Sequence, residues 1–267
     1  MKARILTLIT LSLCSIAPAE EKPFASFIDL PWRYVIGGRA EGMWLNSEAT
    51  GERLTAAKMD YRVFTLDGEA SPITAGKASP DADVCPDVWM QSVTPEPEDR
   101  KPAIGVSATW NPMPRKAKVA DTTQEVYLQA VRELLIGNGI AKPQVKIQQI
   151  LRIDLDGDDE SEVIIAATHY TKIDELLSAK PGDYSFVAMR RVVRGKVQTQ
   201  IIGGEFYPKA DENGAPNTYE VAGLLDLDGD GKLEVIIRTA YYEGGGTQVW
   251  QLSKDKLVHV LSVDCGV

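Results

Sequence analysis

Histidine is nearly absent from this chain, whose 267 residues contain only His169 and His259. Both fall in stretches that read as strand, where exposed positions are expected. No H-E-x-x-H pair is present, so neither a histidine-based zinc site nor a histidine general base is expected. Cysteine is scarce as well, with three residues and none in a C-x-x-C or zinc-ligand spacing. Ser107, within Gly105-Val-Ser-Ala-Thr, lacks the G-x-S-x-G elbow of a serine hydrolase. Gly229-Asp-Gly-Lys232 is followed by Leu233, where a phosphate-binding loop requires Ser or Thr. Beyond the first residues no apolar run is long enough to span a bilayer. A formal net charge of −9 argues against nucleic acid or an anionic membrane surface as partner.

At the N-terminus, Met1-Lys2-Ala3-Arg4 leads into an apolar run from Ile5 to Ala17, and Ala17-Pro18-Ala19 places small residues at both critical cleavage positions. The pattern is that of a signal peptide over residues 1–19, cleaved after Ala19, and it predicts a secreted or periplasmic protein. Cys14 follows Leu13, where lipoprotein processing requires a small residue, so lipidation is not expected. Cleavage removes Lys2 and Arg4 and takes the net charge from −9 to −11. Cys85 and Cys265 remain, and an even count in an exported chain favours a disulfide between them. It would staple the C-terminal residues to the first half of the chain.

Residues 20–115 read as an irregular β-rich region. Its strands are expected over 32–36, 43–45, 61–66 and 104–110, with turns at Gly37-Gly38 and Asp67-Gly68. Ser79 to Arg100, rich in Pro, Asp and Glu, reads as a surface loop held by Cys85. Residues 116–267 open with one amphipathic helix. Thr122-Thr-Gln-Glu125 has the form of a capping box, Tyr127, Leu128, Val131, Leu134 and Leu135 share a face, and Gly137-Asn138-Gly139 ends it. Two similar units then follow, each a strand, an acidic loop, a strand and a hairpin. The hairpins turn at Arg194-Gly195 and Lys254-Asp255. Gly244-Gly245-Gly246 reads as a hairpin connection or bulge, and Arg190, Arg191, Arg194 and Lys196 as a solvated basic face. Tyr241-Tyr242 and Trp250 read as packing residues. A worn third unit is expected between residues 34 and 68. The fold class predicted is mainly β, with antiparallel four-stranded blade-like units in a partial propeller or sandwich and one packed helix.

The two acidic loops carry the chemistry. Asp154-Leu-Asp156-Gly157-Asp158-Asp159-Glu160-Ser161-Glu162 and Asp226-Leu-Asp228-Gly229-Asp230-Gly231-Lys232-Leu233-Glu234 lie 72 positions apart, and both run into Val-Ile-Ile. Four carboxylates at alternating positions repel one another unless a hard cation sits among them, and calcium takes about six to eight oxygen ligands. Asp154, Asp156, Asp158 and Glu162, with the Glu160 carbonyl, form one expected Ca2+ set. Asp226, Asp228, Asp230 and Glu234, with the Lys232 carbonyl, form the other. An EF-hand would place Glu where Ile165 and Ile237 stand and would flank the loop with helices, so these are strand–loop–strand sites. The first loop holds six acids and the second four, which predicts the stronger repulsion in the empty first loop.

Asp226-Leu-Asp-Gly-Asp-Gly-Lys-Leu-Glu-Val-Ile-Ile resembles the calcium loop of FG-GAP and VCBS-type repeats, which build propeller blades including those of the integrin α head. The resemblance covers residues 145–267 and implies the same two ligand sets. The family's Phe-Gly signature is absent, and two or three units fall short of the roughly four to eight blades of a closed propeller. The expectation is an exported calcium-binding β-protein that serves as a non-catalytic binding or structural module for a protein or glycan ligand. The alternative is an exported hydrolase, directed at polysaccharide, with calcium as a structural ion. Its candidate acids are Glu133, Asp174, Glu175 and Glu205, though no spacing selects them.

Overall fold

A computed structural model describes residues 23–266 except 57, 98–100, 171–177 and 213, so the expected signal peptide and Asp174 and Glu175 lie outside the described residues. The fold is mainly β with antiparallel sheets, as the sequence predicts.

The first half forms β1 (Ala25–Asp29), β2 (Tyr34–Ala40), β3 (Met43–Leu45), α1 (Ser47–Arg53), β4 (Met59–Thr65), β5 (Gly68–Pro80), β6 (Trp89–Thr94) and β7 (Ile104–Val106). The pairings run β1–β7–β4–β5–β6–β2 and back to β1, closing a ring, while β3 pairs with the far end of β2. This topology replaces the expected third meander unit. A barrel interior of Ile28, Leu30, Tyr61, Val63, Ile73, Ala75 and Val93 results. A hydrogen-bonded chain crosses it from Ser26 Oγ to Tyr61 OH to Gln91 Oε1, and Gln91 Nε2 donates onward to the Gly76 carbonyl. Those polar groups are thereby satisfied away from water. Ser107 Oγ joins the chain at Ser26, a structural use of that serine.

One turn expectation and one loop expectation failed here. Gly37 and Gly38 lie inside β2, because a Cβ there would sit 2.4 Å from the Leu45 carbonyl oxygen and 2.7 Å from that of Ala25. The glycines admit neighbouring strands. The stretch from Ser79 holds β6 rather than a continuous loop.

The second half forms β8 (Lys118–Val119), α2 (Glu125–Gly137), β9 (Ile147–Ile153), β10 (Glu162–His169), β11 (Asp183–Val193), β12 (Lys196–Tyr207), β13 (Thr218–Leu225), β14 (Glu234–Tyr241), β15 (Gly244–Ser253) and β16 (Lys256–Gly266). One sheet runs β12-β11-β10-β9-β8 and the other β13-β14-β15-β16. Gly244 to Gly246 are strand residues and not the hairpin connection. A Cβ on Gly244 would meet the Cys265 carbonyl oxygen at 2.1 Å.

The layers stack as barrel, sheet, sheet, helix. Ile236, Val249, Leu261 and Val263 face the barrel residues Phe27, Ile36 and Ile104. From the opposite face of the same sheet, Val235, Ile237 and Leu252 pack on Ile164, Ala166 and Met189 of the other sheet. Beyond it, Ile165, Ala167 and Phe186 cover Tyr127, Val131 and Leu135 of α2. Each Val-Ile-Ile run is therefore apolar on both faces because its strand is covered on both sides.

Helix α2 begins at N-cap Gln124 with no side-chain cap, and Asp121 instead accepts from the Thr123 amide, so the capping box does not form. Its C-terminus follows the expectation. Ile140 N–H donates to the Leu135 carbonyl and Gly139 N–H to that of Ile136, with Gly139 at φ 90°. This is a Schellman closure, and Ile140 packs with Leu135. Cys85 and Cys265 form the expected disulfide, joining the β5–β6 connection to the last strand. No helix among the described residues is long and apolar enough to cross a membrane.

Candidate metal centre

The acidic loops connect β9 to β10 and β13 to β14, and they fold alike. Position-9 Glu162 accepts the Leu155 N–H at 2.9 Å, and Glu234 accepts the Leu227 N–H at 2.7 Å. Asp154 takes the Asp159 amide at 3.1 Å and Asp226 the Gly231 amide at 2.9 Å. Asp158 takes the Glu160 amide and Asp230 the Lys232 amide. Gly157 and Gly229 turn the backbone at φ 81° and 72°. Asp159 holds φ 68° where the second loop has Gly231 at φ 86°. Asp tolerates this left-handed region better than most residues, which lets the first loop close without a second glycine. Leu155 and Leu227 are fully buried and pin each loop to the core.

Because the two sheets stack, the loops are neighbours. Leu233 N–H donates to the Leu155 carbonyl at 2.8 Å. Arg115 spans both loops, donating to the carbonyls of Asp154 at 2.7 Å, Leu155 at 3.2 Å and Gly231 at 2.8 Å. The Trp110 indole donates to the Asp226 carbonyl, and the Asp226 amide donates to Pro112. The segment leaving the barrel thus fastens both loops.

Carboxylate oxygens of Asp226, Asp228 and Asp230 lie within 4.8 Å of one another, as do those of Asp154, Asp156 and Glu162. Asp158 falls outside the first trio and Glu234 outside the second, although Glu234 is close enough for the three aspartates to raise its pKa. Asp81, Cys85 and Cys265 also cluster, but both sulfurs are consumed in the disulfide.

The second loop is the more deeply buried. Asp226 is 4% exposed and Glu234 0%, and Asp226 Oδ1 and Glu234 Oε1 have no hydrogen-bond partner among the described residues. Burial pushes the Asp226 carboxyl up to about 6, against the Gly231 and Gly229 amides that favour its charge. Burial likewise raises Asp228 and, well above the usual range, Glu234. A buried carboxylate with an orphaned oxygen is costly unless a proton or cation joins it. Oxygen-only donors from three aspartates and a glutamate suit a hard divalent ion, and calcium fits them.

A pH dependence follows. A carboxyl raised in the fold stabilises the folded state below its unfolded pKa, and that contribution is lost as pH rises through the folded value. Without a divalent ion, stability contributed by Asp226 should fall between pH 3.8 and about 6. With calcium the carboxylate form is favoured, and the trend should reverse. Urea melts at a series of pH values with and without chelator measure both slopes. Parallel slopes would count against a cation at this loop.

The candidate acids among the described residues, Glu205 and Glu133, have structural partners. Glu205 accepts from Tyr207 OH at 2.6 Å, the Asn217 amide at 2.8 Å, Asn217 Nδ2 at 2.7 Å and Tyr219 OH at 3.4 Å. It ties β12 to the start of β13. Glu205→Ala should cost about 2–3 kcal/mol in a urea melt by leaving those donors unmatched. An unchanged midpoint would remove this tether. Glu133 is exposed and accepts from Gln129. His169 is partly buried with its ring edge toward Tyr184, and exposed His259 lies against Trp250. Tyr242 is 62% exposed rather than packed.

Sequence reasoning missed Arg191 and Arg39. Arg191 is not solvated, since it donates to Asp156 Oδ2 at 3.0 Å and lies 3.5 Å from Glu162 Oε1. Arg39, from β2, lies 3.6 Å from Asp228. The only signal for Arg191 is its place opposite the loop in a hairpin register; Arg39 has none, because its approach depends on barrel docking. Compared with known protein families, curated proteins and solved structures, the chain matches none.

Proposed function

We propose that this chain is an exported calcium-binding β-protein acting as a non-catalytic binding or structural module. The observation that carries the reading is the second loop, where buried Asp226 and Glu234 each leave an oxygen unpartnered beside Asp228 and Asp230. The side chains of Asp226, Asp228, Asp230 and Glu234 would hold the ion with the Lys232 carbonyl. In the first loop Asp154, Asp156, Asp158 and Glu162 would do so with the Glu160 carbonyl. The ion would supply charge neutralisation and hold the strand connections rigid. The disulfide supports an oxidising compartment, in line with the expected leader.

Two clefts lie at the strand ends opposite the acidic loops. One, of about 400 Å³, is lined by residues including Asn217, Tyr219, Tyr241, Gln248 and Asp264. The other, of about 610 Å³, is lined by residues including Lys146, Gln148, His169, Tyr170 and Glu220. Mixed polar and aromatic linings suit a glycan or a peptide segment. Calorimetric titration of chelator-treated protein with calcium and with magnesium tests the ion. Calcium heat is expected, with the tighter of its two steps lost in Asp226→Asn, and no calcium heat in the wild type would end the reading. A glycan array with and without calcium tests the module.

A further inference from the structure

We propose that the two acidic loops are unequal cation sites: the loop at 226–234 is the calcium site, while the loop at 154–162 carries its own counter-ion, the guanidinium of Arg191, which calcium must displace. The inference rests on the calcium reading above and concerns which residue sets the affinity of each loop.

The register makes the comparison direct. Val163 pairs with Arg190 across β10 and β11, and Val235 pairs with Trp250 across β14 and β15. The next residues, Arg191 and Gln251, therefore occupy the same place beside Glu162 and Glu234. Both reach the third position of their loop, Arg191 to Asp156 Oδ2 at 3.0 Å and Gln251 Nε2 to Asp228 Oδ2 at 2.9 Å. The hydrogen bond is shared and the charge is not. Arg191 is 10% exposed, and its guanidinium touches two acids of one loop, Asp156 and Glu162.

The oxygen inventories differ in the same direction. In the first loop, Asp154 receives the amides of Gly157, Asp158 and Asp159, and Glu162 receives Leu155 N–H on Oε2 while its Oε1 forms an ion pair with Arg191 Nε at 3.5 Å. The one buried oxygen without a partner there, among the described residues, is Asp156 Oδ1. In the second loop, buried Asp226 Oδ1 and Glu234 Oε1 are both unpartnered. Arg39 approaches Asp228 at 3.6 Å, but it engages no other acid among the described residues and is also stacked on Trp44 at 4.8 Å. A fixed cation on two ligands of a site repels an incoming divalent ion and removes the reason the site needs one. The six acids of the first loop overstate its demand for calcium, because the hairpin supplies a cation that an acid count omits.

The test is calorimetric calcium titration of the full chain and four variants, with circular dichroism checking the fold of each. The wild type should show one tight step and a second step weaker by about tenfold or more. Arg191→Gln, which copies the second loop's residue, should bring the weak step to within a few-fold of the tight one. Arg191→Lys keeps the charge and should leave it weak. Gln251→Arg should weaken the tight step by about tenfold or more. Asp226→Asn should abolish the tight step. Equal steps in the wild type, or a weak step unmoved by Arg191→Gln, would overturn the inference while leaving calcium binding intact. Absence of calcium heat in every protein would overturn both. If Arg191→Gln does not fold, Gln251→Arg decides: an unchanged tight step refutes the role of charge at this position.

Discussion

In excess chelator the protein is expected to melt about 5–10 °C lower than in calcium at a hundred times the dissociation constant of the 226–234 site, counting that site alone. Ligand at that excess adds about 2.7 kcal/mol per site, and in a chain of this size each kcal/mol moves the midpoint by roughly 2–4 °C. Glu234→Gln should invert the ranking. Its carboxyl is fully buried and pushed well above the usual range by burial and by Asp228, Asp226 and Asp230. Without the ion, an amide in that place relieves an unmatched buried charge and can still accept from Leu227 N–H. The variant should then match or exceed the wild type in chelator and fall below it in saturating calcium. Scanning calorimetry of both proteins in both buffers measures the crossing. Equal loss in the two buffers would mean that Glu234 serves packing and not an ion.

Replacing Cys85 and Cys265 together with alanine should cost about 3–5 kcal/mol and lower the midpoint by roughly 10 °C. The bridge joins residues 180 apart, which is most of the described chain. By the chain-entropy relation a loop of that length restricts the unfolded ensemble by about 5 kcal/mol, and measured values usually fall somewhat short. The bridge also ties barrel to sheet, since Cys85 belongs to the β5–β6 connection and buried Cys265 to β16. Chemical melts of oxidised and double-alanine protein supply the comparison. Coincident curves would show that barrel–sheet packing alone restrains the chain ends.

The second half of the fold was legible because its signals are local. Arg194 and Gly195 both hold positive φ in the turn their sequence suggests, and Gly139 closes α2 where the glycine pattern places it. The acidic loops sit between strands because Val-Ile-Ile follows each one, and β-branched runs covered on both faces favour strand. The N-terminal half was less legible. β1, β5, β6 and α1 carry small and polar residues with weak alternation, and they become strands and helix through partners distant in the chain. Gly37-Gly38 resembles a turn until the Leu45 and Ala25 carbonyls are seen to press against it. Gly244 to Gly246 misled in the same way.

By itself the amino-acid sequence determined the composition of the two acidic loops, their place between strands, the disulfide pairing and the helix end. Each follows from residues close in the chain or, for the cysteines, from there being one pairing to make. Only the tertiary structure decided that the N-terminal strands close into a barrel. It also decided that Leu233 and Leu155 join the two loops, and that Arg191 stands on one loop where Gln251 stands on the other. The physical reason is range. A carboxylate's affinity for a cation depends on every charge within a few ångströms, and near Asp156 and Asp228 those charges arrive from strands 35 and 189 residues away.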